Sequence, residues 1–332
     1  MQQRYTDFNS SLKAQFGCRV QKITIDAGLG CPNRDGTLSR GGCIYCNARG
    51  SGTGAMASGI SISDQIAAAR TALAKRYGAK RFIAYFQSFS NTYAPLATLQ
   101  RLYEEALGFD DVVGLAIGTR PDCIDIPKLD YLEKLARHRL IWLEYGLQSA
   151  HDPTLRAINR GHDAACFFRA VAMTRNRGIK VCAHVIMGLP GETRREMLAT
   201  ARALADMAID GVKIHLLYVI RATALETIYA RGDYRCLEQH AYVNLVCDFL
   251  EILPPSVVIQ RLTGDPHPSE LVAPAWSLEK ARTLEMIRNE LVRRDSWQGK
   301  LWQALADGNR IEERTADEPP HRVDRSQAVL RL

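Results

Sequence analysis

Short apolar runs rich in β-branched and aromatic residues recur along the chain, and most are followed by a segment with apolar residues every three to four positions. The apolar runs predict strands at 22–29 (KITIDAGL), 81–87 (RFIAYFQ), 112–118 (VVGLAIG), 140–147 (LIWLEYGL), 180–189 (KVCAHVIMGL) and 211–219 (GVKIHLLYV). The stretches between them include ISDQIAAARTALAKRY, ATLQRLYEEALG and AACFFRAVAMTRNRG, all amphipathic at helical spacing. The last closes on basic residues and Gly178, a helix stop. Strands that alternate with helices pair in parallel through crossover connections. Six such units predict an α/β fold built as a partial (β/α)6 TIM-like barrel, short of the closed eight-stranded form. Functional groups are then expected at the C-terminal ends of the strands.

The pattern changes past residue 253. LPPSVVIQRLTGDPHPSELVAPAW holds five prolines among short mixed runs, and SLEKARTLEMIRNELVRRD then returns to helical period. From 308 onward the chain is polar, as flexible tails are. The chain thus divides into an N-terminal extension (1–20), the barrel (21–253), a small C-terminal extension packed on it (254–307) and a flexible tail (308–332). No solenoid-type repeat interrupts this plan.

No apolar run approaches the length of a membrane span, and MQQRYTDFNSSLKAQFG lacks the apolar core of a secretory signal. Nine cysteines, an odd number without a signal, suit a reducing compartment in which thiols serve metal or packing, hence a cytoplasmic location. The formal charge of +7 is uneven: residues 1–90 carry 12 Lys+Arg against 4 Asp+Glu, a net of +8, so the remainder is nearly neutral. A basic region of this kind fits a phosphate-rich or nucleic-acid partner, and equally a surface that is merely basic. Arg34, Arg40 and Arg49 lie within it, around the cysteine motif.

That motif is CPNRDGTLSRGGCIYCN, with Cys31, Cys43 and Cys46. The C-x2-C pair fixes two thiolates on one tight turn, and the third is separated from them by a glycine-rich loop. Three thiolates leave an open position on a four-coordinate metal, or on one iron of a [4Fe-4S] cube. A structural zinc site would need a fourth ligand; no His lies in this region, and Cys18 is the nearest other thiol. Cys123, Cys166, Cys182, Cys236 and Cys247 show no C-x2-C pairing and read, with Cys18, as packing or free thiols. On the fourth run, E-x-G-x-Q-S puts Glu144, Gly146 and Gln148 on one face. A carboxylate and an amide pointing into a barrel mouth are costly unless paired or bound to a ligand. Lys213 and His215 share a face on the sixth run, in reach of a substrate phosphate or carboxylate, or of an ion pair within the barrel.

The three-cysteine loop, followed by these strand-end motifs, resembles the radical S-adenosylmethionine (SAM) superfamily from about residue 4 to residue 302. The spacing C-x11-C-x2-C followed by Asn is longer than the superfamily's commonest loop. It is similar to that of the branch around the Elongator catalytic subunit and of the bacterial YhcC/YtqA-type family. The resemblance implies a [4Fe-4S] cluster on Cys31, Cys43 and Cys46 that cleaves SAM reductively to a 5′-deoxyadenosyl radical, which takes hydrogen from a substrate. It implies that Tyr45 contacts the adenine. Gln87 and Ser88 stand where the superfamily usually has a glycine pair holding the methionine amino group. Glu144 would accept from the ribose diol. Gln148 and Arg160, twelve residues apart, match SAM-contacting residues of oxygen-independent coproporphyrinogen oxidases, and a guanidinium suits the SAM carboxylate. HVIMGLPGET (184–193) resembles the motif beside the adenine, with Val185 or Ile186 on the ring and His184 facing cofactor or substrate. In GTRPD (118–122), Asp122 reads as a helix cap.

The same resemblance implies tRNA as substrate, at the C5 side chain of the wobble uridine, for instance conversion of a carboxymethylaminomethyl to an aminomethyl group. It also implies an electron donor such as flavodoxin or ferredoxin. No acetyltransferase-sized region follows the barrel. Two other readings stand beside it: a radical SAM enzyme acting on a small metabolite, and a non-catalytic metal- or RNA-binding module. The oligomeric state is left open.

Overall fold

The computed structural model describes residues 3–50, 54–207 and 209–306. Seven parallel strands form one curled half-barrel sheet in the order β1 (Val20–Ile25), β2 (Arg81–Phe86), β3 (Val112–Thr119), β4 (Leu140–Gln148), β5 (Lys180–Met187), β6 (Gly211–Leu216) and β8 (Val258–Arg261). Between the last two, β7 (Val219–Ile220) pairs antiparallel with β9 (Leu271–Ala273). The crossovers on the outer face include α2 (Ile62–Tyr77), α3 (Leu96–Leu107), α4 (Ile126–Ala136), α5 (Asp152–Ala157), α6 (Ala164–Thr174), α7 (Arg194–Ala205), α8 (Ala224–Ala230) and α9 (Gln239–Ile252). Helices α10 (Lys280–Arg293) and α11 (Lys300–Ala306) follow.

Alternation along each strand divides the molecule into two cores. Outward residues such as Ile23, Phe86, Ile117, Leu143, Val185 and Ile214 bury themselves against the helices. Inward residues at the lower ends of the strands, Val20, Ile83, Trp142 and Cys182, form a second core inside the barrel. Helix α1 (Phe8–Phe16) plugs that lower opening: Leu12 is buried there, and Phe8 meets Trp142 edge-on at 5.7 Å. The helix is set by its ends, for Asp7 accepts from the Ser10 N–H at 2.9 Å and Gly17 closes it at φ 68°. Burying each of these large side chains contributes about 1.5–3 kcal/mol. One glycine is obligatory on steric grounds. A Cβ on Gly114 would lie 2.1 Å from the Leu140 carbonyl oxygen, so β3 and β4 approach only because it is absent.

The outer strands β1 and β8 do not hydrogen-bond to each other as strands. A side chain and the N-terminal segment bridge the seam. Lys22 Nζ donates to Gln260 Oε1 at 2.6 Å, and Ile259 N donates to Thr6 O at 2.8 Å.

Six barrel strands follow from the sequence pattern, and the sheet has seven. The seventh, Val258–Arg261, comes from the segment read as a C-terminal extension. It is four residues long and half polar, too short to carry a period. The first strand also ends earlier than its apolar run, at Ile25, because Asp26 turns the chain by accepting from the Gly28 N–H at 3.1 Å. The tail expected over 308–332 lies outside the described residues. Among the described residues no helix is long and apolar enough to cross a membrane.

Candidate active site

The cysteine loop leaves the C-terminal end of β1. The eleven residues between Cys31 and Cys43 fold back on themselves, with Leu38 N donating to Pro32 O at 2.8 Å and a bridge joining Asp35 to Arg40. Two asparagines tie this excursion to the turn after α5. Asn33 Nδ2 donates to Asn159 O at 2.6 Å, and Asn159 Nδ2 donates to Gly42 O at 2.7 Å. Ile44 N donates to Ile158 O at 3.1 Å, and Ile44 O accepts from Leu225 N at 2.9 Å. The C-x2-C turn is therefore slung between α5 and α8.

The thiols sit among donors. Cys43 Sγ accepts from Asn33 Nδ2 and from Arg160 Nη1, each at 3.7 Å, and Cys46 Sγ accepts from Arg34 Nη1 at 3.6 Å. Burial, then the neighbouring Cys43, pushes the Cys46 thiol up to about 11, a proton that a bound iron would displace. Arg34, one of the basic residues around the motif, braces the cysteine loop; it also donates to Asn47 O at 3.1 Å. Tyr45 is partly buried and adjoins Cys43 and Arg160. Burial raises its phenol, and Cys43 raises it further.

Gln148 and Arg160 meet over Gly146. A Cβ there would stand 2.5 Å from Arg160 Nη2 and 2.6 Å from Gln148 Nε2, so both side chains occupy the space that the glycine leaves. Arg160 Nη2 donates to Gly146 O at 2.7 Å, while its Nε is buried without a partner. Gln148 ends β4 at φ 75°, beyond a register shift against β5, a strained placement of the kind found at functional sites. Arg120 fixes the turn from below, donating to Arg160 O at 2.7 Å and to both Asp122 oxygens at 2.8 and 2.6 Å. Asp122 is thus the partner of Arg120 rather than a helix cap. The cap of α4 is Asp125, which accepts from Lys128 N at 3.0 Å. At the end of β2, Ser88 Oγ is buried without a partner and Gln87 N donates to Ile25 O at 3.3 Å.

Glu144, read from the sequence as a ribose acceptor, is fully buried, and both its oxygens accept from donors of the barrel wall. Lys22 donates to it at 2.5 Å, His184 Nε2 at 2.9 Å, and Lys213 closes the group. Burial alone would raise this carboxyl, but Lys213 and Lys22 hold it well below the usual range. His184, expected to face cofactor or substrate, spends Nε2 on Glu144, and burial lowers it to about 4. Of the two candidates for the adenine face, Val185 alternates outward into the helix-side core and Ile186 shares the inner face with His184. The G-L-P-G-E-T turn carries a residue that the sequence did not single out. Glu192 accepts from Ser149 Oγ, and burial pushes it up to about 7.

The donor set suits an iron–sulfur cube. Each cysteine of a cube binds a different iron, so the thiols need not converge on one ion. Indeed, among the described residues no three His, Cys, Asp or Glu side chains come together as ligands of a single ion. Arg160 Nε, in the turn beside Cys43, and Ser88 Oγ, after β2, are buried polar atoms without a protein partner, as a bound polar group would require. A separate surface cleft of about 530 Å3 lies on the outer side of the 160–163 turn, against Leu38, Asp122, Arg156 and His162; none of the residues expected to hold the cofactors lines it.

The Radical SAM superfamily model matches residues 28–204, and the Radical_SAM C-terminal domain model matches residues 209–293. The uncharacterized protein YtqA of Bacillus subtilis is 42% identical over 304 residues, 92% of this chain and 94% of its own length. The tRNA uridine(34) acetyltransferase of Dehalococcoides mccartyi is 30% identical over 156 residues, 46% of this chain and 33% of that protein, so the likeness spans about a third of it. Among solved structures, the archaeal Methanocaldococcus infernus Elp3 superposes with a TM-score of 0.66 at 16% identity, covering 84% of this chain and 64% of that one, a likeness of fold.

Proposed function

Given that the chain belongs to the radical SAM superfamily and is an enzyme of that class, using a [4Fe-4S] cluster and SAM, we propose that it modifies tRNA at the C5 side chain of a wobble uridine. When bound, the reduced cluster delivers one electron to SAM and so generates the 5′-deoxyadenosyl radical that abstracts hydrogen. This chain's residues would do the rest. Cys31, Cys43 and Cys46 would each hold one iron. Arg160 and Gln148 would receive the methionine end of SAM, with the Arg160 guanidinium on its carboxylate. Ser88 and Gln87 would meet its amino group, and Tyr45 its adenine. His184, with its Nε2 on Glu144, would itself stay uncharged beside them.

The observation that carries the reading is the convergence of Arg160 on both Cys43 and Gly146, which joins the proposed ligand loop to the proposed SAM-binding strand end. The choice of tRNA rests on the relatives, one of which is a tRNA uridine(34) acetyltransferase. A second reading, a small-metabolite substrate, is favoured by the charge map. Of the 12 basic residues in 1–90, Lys13, Arg19, Lys75, Arg76, Lys80 and Arg81 lie at the plugged end of the barrel, away from the cysteine loop. The test is anaerobic reconstitution followed by an assay for 5′-deoxyadenosine with and without bulk tRNA. Stimulation by tRNA, with a shifted nucleoside in the recovered RNA, supports the proposal. Cleavage of SAM that tRNA neither stimulates nor couples favours the metabolite.

A further inference from the structure

We propose that Arg261, together with Lys213, forms a receptor inside the barrel mouth for an oxyanion of the substrate. Strand β8 begins in ordinary alternation, with Val258 inward and Ile259 outward. Gln260 points inward to Lys22. The next residue should face out, but the register slips. Val212 pairs with Ile259, whereas Lys213 pairs with Arg261. A bulge of this kind re-aims a side chain, and here it brings Arg261 level with Lys213 at the C-terminal end of the strand.

The charge of Arg261 is felt inside the barrel. It helps to depress His184 and His215, whose main cause is burial, and it bears on Tyr85 across the sheet. The ring of Tyr85 lies 4.0 Å from Lys213 Nζ and 4.8 Å from Lys22 Nζ. Two lysines therefore flank one neutral phenol, with Arg261 paired beside Lys213 on the next strand, and His184 and His215, at about 4 and 3, add no charge near neutrality. Among the described residues, Glu144 is the one carboxylate bonded to Lys22 and Lys213, and Arg261 has no ion pair. Gln260 Nε2, also buried without a partner, lies lower in the barrel beside Gly211 and Trp142 and is not part of this receptor. A half-enclosed excess of positive charge with unused donors is the electrostatic complement of an anion. The rings of His215 and Tyr218, 5.3 Å apart, wall it, and Gly264 closes on them.

This inference rests on the uridine reading only for its probes. The oxyanion is either a carboxylate on the substrate's side chain or a nucleotide phosphate. Reconstituted full-length enzyme with SAM is titrated with a uridine nucleoside whose C5 side chain ends in a carboxylate, with the corresponding carboxamide, with uridine 5′-monophosphate and with uridine. We expect the wild type to prefer one anionic probe over its neutral counterpart by about tenfold or more. Arg261→Gln should reduce that ratio to near one, and Arg261→Lys should restore part of it, with SAM affinity and iron content unchanged. The preferred anion identifies the source. No preference for either anion, no measurable binding of either, or a preference unchanged in Arg261→Gln overturns the proposal. Bulk tRNA binding is measured alongside. A nucleoside preference without tRNA binding sinks the tRNA reading and leaves the anion site standing, and the converse result does the opposite.

Discussion

Gly146→Ala places one methyl group where the side chains of Arg160 and Gln148 now meet, the two residues proposed to receive SAM. The backbone at Gly146 is not in the left-handed region, so alanine is conformationally acceptable and the effect is steric. The new Cβ would stand 2.5 Å from Arg160 Nη2 and 2.6 Å from Gln148 Nε2. Ordinary contact needs about 3.4–4 Å, so both groups must retreat by roughly 1 Å. The 2.7 Å bond from Arg160 to Gly146 O is then lost or bent, and with it the orientation that presents the guanidinium to a carboxylate. A charge-assisted hydrogen bond contributes about 1.5–3 kcal/mol, which predicts SAM binding weakened about 10- to 100-fold. The fold should suffer less, by about 1 kcal/mol, because the displaced ends are side chains beside the mouth rather than backbone. Equilibrium dialysis of SAM under anaerobic conditions reads the first effect. Iron and sulfide content and a thermal melt read the second. A native melt, full iron and SAM affinity within twofold of wild type would refute the placement of Arg160 at the cofactor.

Replacing Cys31, Cys43 or Cys46 with Ala should abolish iron incorporation, whereas Cys166→Ala or Cys236→Ala should leave it intact; iron analysis and the visible absorption spectrum decide. Gly114→Ala sets a Cβ 2.1 Å from a carbonyl oxygen of the neighbouring strand, so it should give little folded protein, as circular dichroism would show. Glu192 has a folded pKa of about 7, above its ordinary 4.5. Its contribution is present in full below 4.5 and is lost as pH rises towards 7, by about 3 kcal/mol over that window. Urea unfolding at pH 5 and pH 7.5 should show a smaller fall in stability for Glu192→Gln than for wild type, and equal falls would contradict the assignment.

The strands were legible because buried parallel strands are written as apolar runs, and the cysteine loop because its spacing is local. Arg160 could be paired with Gln148 through the family resemblance, since the interval between them is fixed by one turn and one short helix. The inner charge group was only half legible. Lys213 and Glu144 stand out on their own strands, but nothing local says that they bond to each other or to Lys22, residues brought together only when the sheet curls. Nothing local marks Asn33 or Asn159, because their hydrogen bonds, to Asn159 O and to Gly42 O, cross 126 and 117 positions. Arg261 was hidden by a register slip, which period-two reasoning assigns to the wrong face.

The bridged seam has a consequence for how the protein is made. Thr6 Oγ1 donates to Pro255 O across 249 positions, and the neighbouring backbone of β8 completes the join. During synthesis at about 5–20 residues per second, the first strand therefore emerges some 10–50 s before the segment that flanks it. Through that interval the seam beside β1 is unbridged, and the apolar face of α1 has only part of its burial site. The nascent chain is then a client for holding chaperones, and truncation before Val258 should yield aggregates rather than a smaller barrel.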